Sequence, residues 1–135
     1  YHHLLNYIMV WRCPMTRMMP KDVINAYNIT GMVPIRLAWT TKNSRGACAI
    51  DALAQHRGIT RAELCDQFPD GYEDGFICAW DTDESRRKYF INKIREENDL
   101  MIMKGFCDGL RCRAAIENIY SSGLIPIVKR KSKDS

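Results

Sequence analysis

The sequence lacks the motifs by which several classes of protein are recognised. It contains no C-x-x-C pair, no G-x-x-x-x-G-K-[ST] phosphate loop, no G-x-S-x-G nucleophile elbow and no H-E-x-x-H zinc motif. No apolar run approaches the roughly 20 residues that cross a bilayer. Nothing therefore favours a zinc protein, a P-loop enzyme, an α/β-hydrolase or a membrane-spanning protein. We expect no catalytic residue, no metal, no cofactor and no contact with a membrane.

The six cysteines are not spaced like metal ligands. Cys107 and Cys112 are five residues apart, which places them on different faces of a helix, whereas zinc ligands on one helix are three or four apart. Unpaired cysteines behave as small apolar residues in a reducing cytosol. The sequence therefore predicts free thiols and a cytoplasmic location.

The length and composition indicate one folded domain. The chain has 135 residues, of which 46% are hydrophobic and 27% charged, close to an average globular protein. We place the domain at residues 18–128. Residues 1–17 are predicted to be a non-native or upstream leader, because the sequence begins with Tyr1 rather than Met and this segment differs in character from the rest. Its apolar stretch 4–11 is not interpreted as a signal peptide, since it lacks a basic start and a cleavage site. Residues 129–135 are predicted to be a basic tail.

Charge is distributed unevenly along the chain. The net charge is +4, but residues 66–84 contain seven acidic and no basic side chains. Alternation of acidic and basic stretches along a chain is typical of a solvated surface. An acidic stretch beside exposed strand edges is also a candidate surface for a protein partner. The candidate protein-binding residues are Asp70, Glu73, Asp74, Asp81 and Asp83.

Helical periodicity and capping signals predict about five helices. The clearest signal is the capping box formed by Thr60 and Glu63, with a break at Pro69. Pro20 suits the first turn of another helix, which Gly31 ends. Six ranges show such signals, namely 20–30, 47–55, 60–68, 72–80, 86–95 and 100–120.

Two strands are predicted, one near each end of the domain. Residues 30–35 and 122–127 share the order glycine, apolar residues and proline, each after a helix. In the first, apolar residues alternate from Val33 to Trp39, and Pro34 predicts an edge strand. Because a lone strand leaves backbone groups unpaired, we expect the two strands to pair with each other or with a partner chain, and we favour the first. The predicted fold class is α+β, mostly α, with about five helices packed around a minor two-stranded β element.

Small residues recur at intervals of four in two of the predicted helices. They are Gly71, Gly75 and Ala79 in one helix, and Gly105 and Gly109 in the other. Glycine inside a helix costs about 1 kcal/mol relative to alanine, so its repetition predicts close packing of the two backbones.

Residues 53–64, LAQHRGITRAEL, resemble a helix-turn-helix element of the pattern L-A-x-x-x-G-[IV]-[ST]-x-x-x-[LV]. The resemblance implies that the helix beginning at Thr60 would enter the major groove of DNA, with Arg61 placed to reach bases or phosphates. The candidate nucleic-acid-binding residues are Arg57, Arg61, Lys129, Arg130 and Lys131.

The chain from Pro20 to Ile116 also loosely resembles small uncharacterised bacterial and phage proteins, and that resemblance implies no particular activity. Our leading hypothesis is a small non-catalytic binding or regulatory protein, a bacterial or phage accessory protein, that acts by protein–protein contact or self-association. The alternative is a DNA-binding regulator that uses the helix-turn-helix element. A small hydrolytic or metal enzyme is the third hypothesis. His56 is the only histidine of the predicted domain, and as a general base it would need a neighbouring nucleophile.

Overall fold

The computed structural model describes residues 15–43, 45–120 and 123–126. Within them the chain forms six α-helices and three short β-strands, which confirms the mostly helical α+β class. The order is α1 (Pro20–Thr30), β1 (Val33–Arg36), β2 (Gly46–Ala47), α2 (Ala49–Arg57), α3 (Arg61–Cys65), α4 (Tyr72–Asp81), α5 (Glu84–Glu97), α6 (Leu100–Ile119) and β3 (Ile125–Pro126). None of these helices combines the length and apolar composition that crossing a bilayer requires.

Helices α4 and α6 pack closely against each other. A Cβ atom at Gly75 would lie 2.0 Å from the carbonyl oxygen of Ile102, and one at Gly105 would lie 1.9 Å from that of Tyr72. Only glycine allows the two backbones to approach so closely. The close packing predicted from the glycine spacing is therefore confirmed.

The sheet is parallel, with β1 between β2 and β3. Val33 lies opposite Gly46, and Ile35 lies opposite Ile125. The predicted pairing of the two proline-bearing strands within one chain is confirmed. The third strand, β2, was not expected, because Gly46 lies in a predicted loop and Ala47 at the start of a predicted helix.

The prediction of an edge strand at Pro34 is wrong, since β1 is the central strand. The amide of Val33 points toward β2 and donates to the carbonyl oxygen of Arg45 at 2.7 Å. Successive residues of a strand direct their amides to opposite sides, so the nitrogen of Pro34 faces β3. Pairing with β3 begins only at Ile35. Proline has no backbone N–H to donate, and at Pro34 the sheet requires no hydrogen bond on that side.

The alternating pattern after Val33 does not produce one long strand. The strand β1 ends at Arg36, and Leu37 adopts φ 69°, in the left-handed region. Its side chain is 44% exposed. The chain then returns along β2, where Thr40 forms an antiparallel bridge with Ala47. Apolar alternation predicted a continuous buried face, but this bend directs part of it to the surface.

Two buried charged side chains hold the helices together. Asp108 of α6 is 1% exposed and accepts hydrogen bonds from Arg17 at 2.7 and 3.0 Å and from the Tyr72 hydroxyl at 2.7 Å. Burial raises the pKa of Asp108, but these hydrogen bonds outweigh burial and lower that pKa below its usual value. Arg113 donates to the carbonyl oxygens of Ala79, Trp80 and Thr82, which satisfies the last turn of α4.

Two residues of the predicted leader contact the rest of the protein. The amide of Met15 donates to Oε1 of Gln67 at 2.8 Å, and Arg17 binds Asp108 as described. The assignment of 1–17 as a leader, of 18–128 as the domain and of 129–135 as a tail stays a prediction.

Candidate binding pocket

A pocket of about 310 Å³ lies at the carboxyl edge of the parallel sheet. Leu37, Ala38 and Trp39, which follow β1, form one side. Cys48, Ala49 and Ile50, which follow β2 and begin α2, form the other. Open parallel sheets bind ligands at this edge, because the chain segments that leave neighbouring strands diverge there. The topology thus creates an opening between two consecutive connections.

The floor of the pocket is provided by α4, through Phe76, Ile77 and Trp80. The indole N–H of Trp80 donates to the carbonyl oxygen of Ile35 at 2.7 Å, which ties the helix to β1. The rings of Phe76 and Trp80 are nearly parallel, with centroids 6.4 Å apart. These contacts fix the orientation of the aromatic surface before any ligand arrives.

The rim of the pocket is formed by Trp39. The guanidinium carbon of Arg61 lies 4.2 Å from the centroid of the Trp39 ring, in a cation–π contact. Arg61 also forms an ion pair with Asp51 at 3.8 Å, and Asp51 accepts a hydrogen bond from Thr40. One edge of the rim is therefore connected to both α2 and α3.

Asp81, at the end of α4, is the ionisable group at the boundary of the pocket. Its Oδ1 accepts a hydrogen bond from the amide of Leu37 at 2.9 Å, which supports the left-handed backbone of that residue. Arg36 donates to the Asp81 carbonyl oxygen at 3.1 Å. Burial raises the pKa of the Asp81 carboxyl group above its usual value. A left-handed leucine beside a pocket is the kind of backbone strain that clusters at functional sites.

Cys48 lies within the pocket wall but is not a reactive thiol. It is buried, and burial raises its pKa to about 12. Its sulfur accepts a hydrogen bond from the amide of Asp51 at 3.5 Å, as the cap of α2. Because the thiolate is the nucleophilic form, this thiol does not supply one at neutral pH. Its contribution is structural.

A second pocket, of about 360 Å³, adjoins the first. The two share Leu37, Ile77 and Asp81 as a common ridge. The second is more polar, and its other lining residues are Arg36, Cys78, Thr82, Asp83, Arg86 and Phe90. Together the two pockets form a continuous groove with an apolar half and a half that carries both signs of charge. We call it the edge groove.

The structure separates the acidic residues that the sequence grouped together. Asp81 and Asp83 line the edge groove. Asp70 lies in the turn before α4, and Glu73 and Asp74 lie in the first turn of that helix. A helix of 10 residues is about 15 Å long. The five acids therefore form two groups at opposite ends of α4, and whether either group binds a protein stays a prediction.

The described part of the chain contains two of the five candidate DNA-binding residues. Arg57 is half-buried at the end of α2, while Arg61 packs on Trp39. Helix α3 has five residues, so it is about 7 Å long. Lys129, Arg130 and Lys131 lie outside the described residues. The helix-turn-helix resemblance stays a prediction.

The sequence gives little indication of the edge groove. Trp39 belonged to the predicted strand and Asp81 to the acidic stretch, and nothing in the spacing indicated that they share a site. The fourfold spacing of Phe76 and Trp80 predicts one helix face, but not what covers it. In the described part of the chain, no three His, Cys, Asp or Glu side chains come together as a metal site.

Comparison with known proteins gives no match to a family model, to a characterised protein or to a solved structure.

Proposed function

We propose that the protein is a non-catalytic binding or regulatory protein that acts by protein–protein contact, and that the edge groove receives a segment of its partner. The observation that carries this proposal is the apolar pocket of about 310 Å³ between Trp39 and Trp80. Interfaces draw most of their binding energy from a few bulky side chains that fill desolvated pockets. In this proposal, an apolar side chain of the partner is the anchor that fills the pocket.

The exposed Leu37 supports a protein partner. Its side chain is 44% exposed and lies on the ridge between the two halves of the edge groove. An extended peptide segment directs alternate side chains to the same face, about 7 Å apart. Such a segment can place one side chain in each half and cover Leu37 with its backbone. A small ligand confined to one pocket would leave this apolar ridge in water.

The charged side chains of the second pocket can bind a polar residue of the partner that lies next to its anchor residue. Asp81 and Asp83 lie there with Arg36 and Arg86. Groups of opposite sign at the rim of an interface select partners and fix their register more than they add affinity. We therefore assign the apolar pocket to affinity and the charged pocket to specificity.

The Cys48 thiol supports a non-catalytic role for the pocket. Burial raises the pKa of this thiol to about 12, so it supplies no thiolate at neutral pH.

Peptide selection on the full chain tests the proposal. A random peptide library displayed on phage should yield a consensus with one bulky apolar residue, and binding of that peptide should change the tryptophan fluorescence, since Trp39 and Trp80 both line the pocket. Ala38→Phe, which adds a ring to the pocket wall, should weaken binding at least tenfold. The control Ala114→Phe makes the same change on the exposed face of α6 and should leave binding unchanged. Selection without a consensus, or equal affinity for both variants, would contradict the proposal.

A DNA-binding regulator is the second proposal, and one observation favours it. The amide of Glu63 donates to the Thr60 hydroxyl at 3.0 Å, and Glu63 accepts from the amide of Thr60 at 2.8 Å. A capped helix thus begins where the resemblance requires it. Duplex DNA should then bind with a steep dependence on salt, and Arg61→Ala should reduce affinity and flatten that dependence. Unchanged duplex binding by Arg61→Ala would remove this proposal.

A further inference from the structure

Helix α5 carries an unusual concentration of positive charge. From Ser85 to Arg95 it contains five basic residues and no acidic one; the basic residues are Arg86, Arg87, Lys88, Lys93 and Arg95. The acidic residues of the helix, Glu84, Glu96 and Glu97, lie only at its ends. Eleven helical residues span about 16 Å. The body of this helix is therefore a basic segment three turns long.

The basic side chains of α5 are not neutralised by the fold. Within the described residues, the ion pairs are made by Arg17, Arg61, Arg111 and Arg113, all outside α5. Four of the five α5 cations are exposed, and Arg87 is half-buried. Helices usually offset such charge with acidic residues three or four positions away. Acidic residues lie at this spacing, such as Glu84 before Lys88 and Glu97 after Lys93. Among the described residues they form no ion pair with the α5 cations, so the positive charge of the helix faces solvent.

An exposed aromatic ring lies among these charges. Tyr89 is 55% exposed, and it lies one residue after Lys88 and one helical turn before Lys93. The guanidinium carbon of Arg86 lies 5.4 Å from the Tyr89 centroid and 5.2 Å from that of Phe90. Cations beside an exposed ring are the combination that binds single-stranded nucleic acid, because the cations bind phosphates and the ring stacks on a base.

We infer that the exposed face of α5 binds single-stranded nucleic acid, with Lys88 and Lys93 on the phosphates and Tyr89 stacked on a base. This site is separate from the helix-turn-helix element and from the apolar pocket that receives the peptide anchor, and it adjoins the charged half of the edge groove at Arg86. It adds a nucleic-acid partner to the proposed function.

The apolar face of α5 argues against a membrane as the partner. Ile94 is buried and packs with Ala79 and Phe106, and Phe90 and Ile91 pack partly against the same cluster. A helix that lies on a bilayer must instead offer its apolar face to the lipid. The side of α5 that faces solvent is polar apart from Tyr89.

Fluorescence anisotropy with a labelled 15-nucleotide oligo(dT) tests the inference on the full chain. Affinity should fall as salt rises from 50 to 200 mM, with a slope of about −0.7 in log K against log salt for each phosphate bound. Lys88→Glu/Lys93→Glu should weaken binding at least tenfold and reduce the slope by about 1.4. The control Lys21→Glu/Lys42→Glu makes the same change in net charge at two exposed lysines outside α5. It should change affinity by less than about twofold, and residues 121–135 are retained in every variant.

Replacement of Tyr89 separates base stacking from general attraction between charges. Tyr89→Ala should weaken binding at least fivefold, since stacking on one base is worth about that much or more, whereas Tyr89→Phe should retain it. Circular dichroism of each variant should match that of the parent. Three results would overturn the inference: no salt-dependent binding, equal losses in the two double lysine variants, or binding of phosphatidylserine vesicles with no effect of Tyr89→Ala on oligonucleotide binding.

Discussion

Replacing Gly105 by alanine should destabilise the protein, although the same change usually stabilises a helix. At an exposed helical position, alanine is more favourable than glycine by about 1 kcal/mol. At Gly105 the new methyl group would lie 1.9 Å from the carbonyl oxygen of Tyr72, whereas ordinary contacts begin near 3.4 Å. The two helices must therefore separate by about 1.5 Å, because a backbone carbonyl cannot rotate away as a side chain can.

The cost of this separation can be set against the gain in helix propensity. Overpacking of a core costs about 1 to 3 kcal/mol, and a backbone obstacle places Gly105→Ala at the upper end of that range. After subtraction of the propensity gain, we expect a net loss of about 2 kcal/mol in the free energy of unfolding. For a chain of this size, that corresponds to a fall in Tm of about 8 °C. Urea denaturation followed by circular dichroism measures the free energy of unfolding, and thermal denaturation followed in the same way measures Tm.

Two further variants calibrate the result. Ala114→Gly, on the exposed face of the same helix, should lose about 1 kcal/mol from propensity alone. Gly109→Ala should cost less than Gly105→Ala, because its methyl group would lie 2.7 Å from the nearest oxygen, that of Phe76. If Gly105→Ala is as stable as the parent protein, or more stable, the reasoning from close backbone contact is refuted.

Three other changes test separate parts of the fold. Thr60→Ala should cost about 1 kcal/mol through loss of the helix cap, and a urea midpoint equal to that of the parent would contradict it. Truncation after Ser122 removes β3 and the buried Leu124, so it should cost at least 2 kcal/mol, and an unchanged Tm would argue against a structural role for β3. Asp108→Asn should cost about 2 kcal/mol at pH 7. Because the pKa of Asp108 is lowered in the folded state, its carboxylate stabilises the protein above the unfolded pKa of about 4, and this advantage disappears as pH falls through the folded pKa. The difference between Asp108→Asn and the parent should therefore shrink in acid, and a difference that stays constant with pH would exclude this charge effect.

Features that depend on short stretches of sequence were predictable. The capping box at Thr60 forms as expected, because both of its hydrogen bonds connect residues three positions apart. The fourfold spacing of glycines predicted the contact between α4 and α6, since only close backbones compensate for glycine in a helix. The pairing of β1 with β3 followed from two similar segments that each needed a partner.

Features for which the sequence contains no repeated pattern were not predictable, because they depend on which distant residues come together. The strand after Val33 ends early because its Leu37 amide binds Asp81, a residue 44 positions away. For the same reason, the edge groove combines residues that follow β1, residues that follow β2 and the end of α4. The basic segment of α5 was visible in the sequence, but its exposure and its lack of ion pairs emerge only from the packing of that helix.

The pairing of β1 with β3 also determines when the fold can be completed during synthesis. Ile35 can pair with Ile125 only after about ninety further residues have been synthesised. The partners in the contact between α4 and α6 are only about thirty residues apart. On the ribosome, the helical contact can therefore form first, while one side of β1 still lacks its neighbour. Until Ile125 has been synthesised, that side of the strand can pair with another nascent chain. Slow translation between Ile35 and Ile125 should thus increase aggregation of this protein.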